Sequence, residues 1–184
     1  RVSGPITVEP GGALAVVGGS VSGPISADKP DGFTLCGASV LGLVSVDKST
    51  ADVYIGGTNS LTTCGASTIS GPVSLKDNSG DVVIATSKFG GPVSLTDNSG
   101  DVVIATSKVG GSVSLTDNTG DVVIATSTVS GPVSVTRNSG PITEVAGNTI
   151  AGPLSCSANL PGVSDNGQPN SAPVKTGQCG APGF

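Results

Sequence analysis

One 20-residue unit is written three times in succession between residues 68 and 127. The copies read TISGPVSLKDNSGDVVIATS, KFGGPVSLTDNSGDVVIATS and KVGGSVSLTDNTGDVVIATS. Self-similarity at a short fixed period is typical of solenoids, in which each repeat buries its apolar side only by stacking on its neighbours. The repeat therefore constrains the fold more strongly than any other feature of the chain.

The repeat extends to both sides of these copies when each unit, or rung, is anchored on a Gly-Pro step or its equivalent. Eight anchoring glycines result: Gly4, Gly23, Gly42, Gly71, Gly91, Gly111, Gly131 and Gly152. Short segments within each rung alternate apolar and small polar residues, which predicts strands. A strand that pairs with its copy one rung later is parallel and in register. The sequence thus predicts an all-β protein, a parallel β-solenoid of about eight rungs.

Four columns of apolar residues are expected to fill the core of the coil. Three of them begin in the first rung at Val2, Ile6 and Val8. The fourth is expected at Val17, Cys36, Cys64, Ile84, Ile104, Ile124 and Val145. One corner is marked by Asn78, Asn98, Asn118 and Asn138, where stacked amides can hydrogen-bond from rung to rung.

The period divides the chain into repeats over residues 1–156 and a loop-rich C-terminal cap over residues 157–184. An insertion at about residues 48–61, which includes Ala51–Ile55, is expected to form a loop or an extra hairpin on one side of the coil.

Four cysteines in a chain without histidine argue against zinc and for two disulfides, and hence for an extracellular, oxidising compartment. Cys36 and Cys64 occur in consecutive rungs, and neighbours in register lie within the roughly 4.4–6.8 Å that a disulfide requires. Cys156 and Cys179 are then expected to staple the C-terminal tail to the last rung. The chain begins at Arg1 without a signal peptide, which we interpret as a processed or trimmed form.

Composition argues against several classes of function. The net charge of −5 and the 2% aromatic content disfavour nucleic-acid binding and stacking on sugars. No apolar run reaches the roughly 18 residues of a membrane span. Histidine is absent and no phosphate-binding loop occurs, so we expect neither an enzyme nor a cofactor.

Aspartates recur in the repeat, as Asp77 and Asp81 and their equivalents in the next two copies. Stacked carboxylates are suited to calcium, but Asp side chains also stabilise turns by bonding to nearby amides. Turn chemistry is the simpler interpretation, and calcium in these columns stays open.

A possible binding face is formed by Ser94, Thr96, Ser114 and Thr116, which are expected to point outward from one flat sheet. Such a face of hydroxyls is what ice-binding solenoids present, and it also suits a polysaccharide or another repetitive surface. The early rungs place Glu9, Asp28, Asp47 and Lys76 in the threonine column, and the ordinary preference of Ser and Thr for strands offers a competing explanation.

A solenoid needs caps, because a terminal rung otherwise exposes backbone groups and apolar core. The stapled tail supplies a cap at one end, whereas Val2 is already a core position at the other. We expect Val2, Ile6 and Val8 to form an assembly end, because a head-to-tail contact that does not close propagates into a filament. The alternatives are that a capping segment was removed, that the chain frays near Arg1, or that the insertion folds back as a cap.

The ending Ile150-Ala-Gly-Pro-Leu-Ser-Cys156, then Asn166-Gly-Gln-Pro-Asn170 and Gly177-Gln-Cys179, resembles the ending of repeat-bearing secreted proteins of actinobacteria. The resemblance implies export and residence at the cell surface, and it supplies no catalytic residue. The sequence therefore indicates a structural protein that assembles with itself into a fibre or coat, with binding to an extracellular surface as the alternative.

Overall fold

Three parallel sheets run along the whole rod in the computed structural model, which describes residues 1–57 and 64–184. The first sheet has nine strands: β1 (Ile6–Val8), β4 (Ile25–Asp28), β7 (Val44–Asp47), β10 (Val73–Lys76), β13 (Val93–Thr96), β16 (Val113–Thr116), β19 (Val133–Thr136), β22 (Leu154–Ser157) and β23 (Lys175–Gly177). The second sheet has seven: β2 (Ala13–Val17), β5 (Gly32–Cys36), β8 (Val53–Ile55), β11 (Val82–Ala85), β14 (Val102–Ala105), β17 (Val122–Ala125) and β20 (Thr143–Ala146). The third has seven short strands: β3 (Ser20–Val21), β6 (Ser39–Val40), β9 (Thr68–Ile69), β12 (Lys88–Phe89), β15 (Lys108–Val109), β18 (Thr128–Val129) and β21 (Thr149–Ile150).

The six inner rungs each contribute one strand to each sheet, and every strand pairs in parallel with its equivalent one rung away, as β10 does with β13. A single 3₁₀ turn, Gln178–Gly180, is the only helical segment among the described residues. The predicted β-solenoid of about eight turns is confirmed.

The core consists of the inward side chains of the three sheets. The columns that begin at Val2, Ile6 and Val8 are confirmed, since these residues pair in register with Val21, Ile25 and Ala27 respectively. Residues of the middle rungs such as Leu95 are completely buried.

The fourth column was wrong at its beginning. Val16, Leu35 and Ile55 occupy the inward position that continues to Ile84, whereas Val17 points outward and is 76% exposed. Cys36 pairs with Val17, and Cys64 belongs to no strand of the second sheet. Because the run Ala13–Val17 is apolar throughout, the alternation that distinguishes the two faces of a strand is missing there.

The predicted insertion was placed too early. Val53–Ile55 is a regular strand, β8, that lies between β5 and β11, so it is neither a loop nor an extra hairpin. The chain takes 13 residues from Ile55 to Thr68 but only 4 from Ile84 to Lys88, so the nine additional residues follow β8. Residues 58–63 lie outside the described part. The spacing of Gly-Pro steps gives the length of a rung but does not locate its extra residues.

An asparagine ladder, as predicted, holds the corner between the first and second sheets. The side-chain oxygen of Asn118 accepts hydrogen bonds from the backbone N–H of Asn98 at 3.0 Å and from its Nδ2 at 2.9 Å. The Nδ2 of Asn118 also donates to the carbonyl of Leu95. The ladder runs from Ser49 to Asn159, and all of its asparagines are buried.

The tight turn beside the ladder is made by the residue before each asparagine. Asp97 has a φ of 57°, in the left-handed region, while no asparagine of the described ladder does. Gly100 is required for a different reason, because a Cβ there would lie 2.3 Å from the carbonyl oxygen of Gly80 in the preceding rung. These glycines are needed because the backbones of successive rungs stack closely there, and not because their φ angles are positive.

Candidate functional surfaces

The N-terminal rung is the predicted assembly end. β1 and β2 are the terminal strands of the first and second sheets. Val2 is 42% exposed, Ile6 is half-buried and Val8 is 7% exposed, so the structure brings the three residues together where their columns end. This end presents strand edges and apolar side chains at the same place.

The C-terminal end is covered by residues 157–184. β23 adds a strand to the first sheet, while Ser164 and Ser171 bridge to the last strands of the second and third sheets. The side-chain oxygen of Gln178 accepts from the backbone N–H and the Nδ2 of Asn159, so it takes the place of the next asparagine. Phe184 is buried in the same end of the core.

Both predicted disulfides are present. Cys156 and Cys179, with Cα atoms 5.3 Å apart, join β22 to the covering tail. Cys36 and Cys64, with Cα atoms 5.0 Å apart, join the second rung to the segment between β8 and β9. Beside that bond, the N–H of Gly37 donates to the carbonyl of Gly65. The Cys36–Cys64 pairing was correct, although the shared column from which it was predicted was not.

The outer side of the first sheet, which we call the hydroxyl face, contains all four predicted binding residues. Ser94 and Thr96 lie 3.3 Å apart and Ser114 and Thr116 lie 3.1 Å apart, between hydroxyl oxygens. One hydroxyl column continues through all nine strands: Thr7, Ser26, Ser45, Ser74, Ser94, Ser114, Ser134, Ser155 and Thr176. The threonine column beside it is shorter, because Asp28, Asp47 and Lys76 occupy its early positions.

The corner aspartates are used in turns and rung-to-rung contacts. One oxygen of Asp81 accepts the backbone N–H of Asp101 at 3.0 Å, and Asp101 and Asp121 repeat the contact one rung further on. In residues 1–57 and 64–184, no group of three or more His, Cys, Asp or Glu side chains is placed to hold a metal ion. This geometry favours the turn interpretation of the aspartates.

Exposed ion pairs line the same corner. The guanidinium of Arg137 binds Asp117 through two hydrogen bonds of 2.6 and 2.8 Å, which lower the pKa of Asp117 and raise that of Arg137. A hydrogen bond to Asp77 raises the pKa of Lys76. Because these groups are exposed, solvent screens the pairs and they contribute little to stability.

Sequence reasoning missed the outer side of the second sheet. Val83, Val103 and Val123 form an outward column there, and Ala85, Ala105 and Ala125 form the next one. We call these two columns the valine face. Tyr54 precedes the valines in their column, and its hydroxyl donates to Asp52 at 2.9 Å, which raises the pKa of Tyr54. The alternation of residues in DVVIATS indicates that one set of side chains on this strand points outward. Because two valines are adjacent, the sequence does not decide which of them points inward.

These features define a disulfide-braced parallel β-solenoid. The family model described as Toastrack DUF4097 matches residues 20–151, and the chain belongs to that family. Comparison with curated proteins and with solved structures gave no match. Among the described residues, no helix is long and apolar enough to cross a membrane.

Proposed function

We propose that this protein is a non-enzymatic extracellular structural protein, a subunit of a surface fibre or coat that assembles by end-to-end stacking. The observation that carries the proposal is the first sheet, which reaches both ends of the rod with a three-residue edge strand, β1 at one end and β23 at the other. A second copy can therefore continue the sheet.

In such a stack, β23 of one copy pairs with β1 of the next. Continuation of the register places Thr176 beside Thr7, so that the hydroxyl column runs on into the next copy. β1 contains neither charge nor proline, the two features that usually protect an edge strand from pairing. A head-to-tail contact of this kind does not close, so it propagates.

The two disulfides and the resemblance of the C-terminal stretch to secreted proteins support an extracellular location. The regular rungs support a scaffold role, since each is held by its neighbours over the whole length of the rod.

Sedimentation velocity over a concentration series tests the proposal. Val2→Asp or Ile6→Asp places a charge at the stacking end, so large species are expected to disappear. Leu43→Asp is the matched control, because Leu43 is 40% exposed, close to the 42% of Val2, but lies away from the end. Thermal unfolding of each variant separates lost assembly from lost folding. Equal assembly by a folded Val2→Asp variant and the control would overturn the proposal.

The hydroxyl face supports a second candidate function, a module that binds ice, polysaccharide or another repetitive surface. Its support is the hydroxyl column, which extends through all nine strands of the first sheet and so further than the threonine column beside it. Thr96→Tyr with Thr116→Tyr is expected to reduce sedimentation with crystalline cellulose, chitin or ice. Thr128→Tyr with Thr149→Tyr, on the third sheet, is the control. Equal binding by both double variants would exclude this face.

A further inference from the structure

The valine face is an apolar surface on the outside of a sheet. Its valines and alanines are half-buried by their neighbours in the stack, and Gly57 lies over Ala85. The remaining five side chains, from Val83 to Ala125, leave their outer sides open over three consecutive rungs. Partly buried apolar side chains on the outside of a sheet can gain further burial against a partner.

Rows of opposite charge flank the valine face. Asp81, Asp101 and Asp121 precede its three strands, whereas Lys88 and Lys108 are the first residues of β12 and β15 and lie just past the next corner, where the third sheet begins. The two lysines are exposed register neighbours, an arrangement that like-charge repulsion disfavours. Neither lysine belongs to an ion pair within the described residues, and the equivalent positions in the adjoining rungs hold Thr68 and Thr128.

Two-fold symmetry shows which partner fits this pattern. Rotation about an axis parallel to the rod reverses the order of the columns across the face. The acidic row of one copy then lies opposite the lysines of the other. The axis passes between the valine and alanine columns, so the valine column of one copy meets the alanine column of the other. Rotation about an axis perpendicular to the rod would set acidic row against acidic row. The charges thus select parallel rods.

We propose that the valine face docks a second copy of this chain, side by side and parallel. The contact would have an apolar centre and a charged rim, as stable interfaces do. Both charged rows repeat once per rung, so Asp81 and Asp101 of one copy meet Lys88 and Lys108 of the other together. The proposal does not depend on end-to-end stacking.

Glu144 limits the contact at one end. It continues the valine column after Val123, so in the pair its carboxylate would lie opposite the alanine column, which offers it no partner. The face is also small for an interface, and we expect a dissociation constant of about 10 μM to 1 mM. Replacement of Glu144 by valine removes this unpaired charge from the contact and is expected to tighten association by about tenfold.

Sedimentation equilibrium in the Val2→Asp background, where the stacking end is blocked, tests this contact alone. Val103→Lys puts a charge at the centre of the face and is expected to weaken association by about tenfold or more. Ser114→Lys is the matched control, because it places the same charge outward on the first sheet of a neighbouring rung.

Charge exchange tests the geometry. The double variant Lys88→Glu, Lys108→Glu is expected to be monomeric, because both of its charged rows are acidic. The double variant Asp81→Lys, Asp101→Lys is expected to be monomeric for the converse reason. A mixture of the two double variants is expected to pair. Because Asp81 and Asp101 also accept backbone N–H groups, Asp81→Asn with Asp101→Asn removes the charge but keeps the acceptors. That variant should weaken association without a change in thermal stability.

A monomer at 1 mM in the Val2→Asp background, or equal association of Val103→Lys and Ser114→Lys, would overturn side-by-side docking. Neither result would affect end-to-end stacking, which is measured in the parent chain. Side-by-side docking would also be contradicted if the Lys88→Glu, Lys108→Glu variant or the Asp81→Lys, Asp101→Lys variant associated alone and mixing the two gave no stronger association.

Discussion

The two ends of the rod terminate the same stack of strands in different ways, although the first sheet has an edge strand at both ends. At the C-terminal end, Gln178 completes the asparagine ladder, a disulfide ties down the tail and Phe184 fills the core. At the N-terminal rung, Val2 and Ile6 remain partly exposed, and β1 and β2 form the outer edges of their sheets.

The comparison shows that closing a solenoid takes specific residues. Repetition alone continues the stack, whereas the covered end needs a glutamine that substitutes for the next asparagine and backbone bridges from Ser164 and Ser171 to the second and third sheets. The first sheet still ends there in an edge strand, β23. The N-terminal rung uses the ordinary residues of a rung, and its strand edges are where we propose that a second copy pairs.

The largest effect is expected from removing part of the rod between the two ends. Deletion of residues 88–107 joins Ser87 to Lys108, which restores the Ser-Lys junction and the register of every column. The protein is expected to fold with both ends unchanged and to be shorter by one rung, about 4.8 Å. Circular dichroism tests whether the deletion variant folds, and small-angle scattering measures the length of the rod.

Deletion of residues 88–97 is the control, since half a rung takes every later side chain out of its column. This variant is expected to lose cooperative unfolding. If the half-rung deletion folded as well as the full-rung deletion, the account would be contradicted, because the fold would not depend on the register between successive rungs.

The ladder should be more sensitive in its middle than at its covered end. Asn118→Ala leaves the buried backbone N–H and Nδ2 of Asn98 without their acceptor, so a loss of about 2–5 kcal/mol in unfolding free energy is expected. Gln178→Ala removes the same contacts from Asn159, but water can reach this end, and about 1 kcal/mol is expected. Urea unfolding measures both, with Ser114→Ala as a neutral control. Equal losses would contradict the distinction.

One flaw in the covered end should be correctable. Thr143 occupies the inward position of Val122, where its buried hydroxyl has no hydrogen-bond partner among the described residues. Thr143→Val is expected to raise the free energy of unfolding by about 1 kcal/mol. The reverse change, Val122→Thr, should lower it by about as much or more. Destabilisation by Thr143→Val would show that the hydroxyl is satisfied.

The smallest effect concerns the exposed pair of Asp117 and Arg137. Arg137 lowers the pKa of Asp117 in the folded state. The ion pair therefore stabilises the folded protein at pH values above the pKa of Asp117 in the unfolded chain, and this stabilisation is lost as the pH falls through the pKa of Asp117 in the folded protein. Arg137→Gln is therefore expected to be slightly less stable than the parent at pH 7 and equal to it at about pH 2. Urea unfolding at the two pH values measures the difference, and a larger gap in acid would contradict the assignment.

The repeat made most of the fold predictable because its period, its alternation and its asparagines all indicate one stacked architecture. The parts that failed lack alternation. Val16 and Val17 are both apolar, and so are Val82 and Val83, so only the register with neighbouring strands decides which residue faces inward. The misplaced insertion at β8 has a different cause, since the spacing of the Gly-Pro steps gives the length of a rung without locating its extra residues.

The candidate surfaces divide in the same way. Val2, Ser94 and their partners were placed correctly from the period, because their positions depend on the rung alone. The valine face was missed because it depends on three consecutive rungs and on charges at two corners. The use of Gln178 as the last member of the ladder was missed as well, since the period has already stopped at that point.

Negative-stain electron microscopy of the purified, non-reduced protein over a concentration series tests the central claim of end-to-end assembly most directly. The account predicts filaments that lengthen with concentration, one or two rods wide, and that are absent from the Val2→Asp variant. Uniform single rods at every concentration would contradict it.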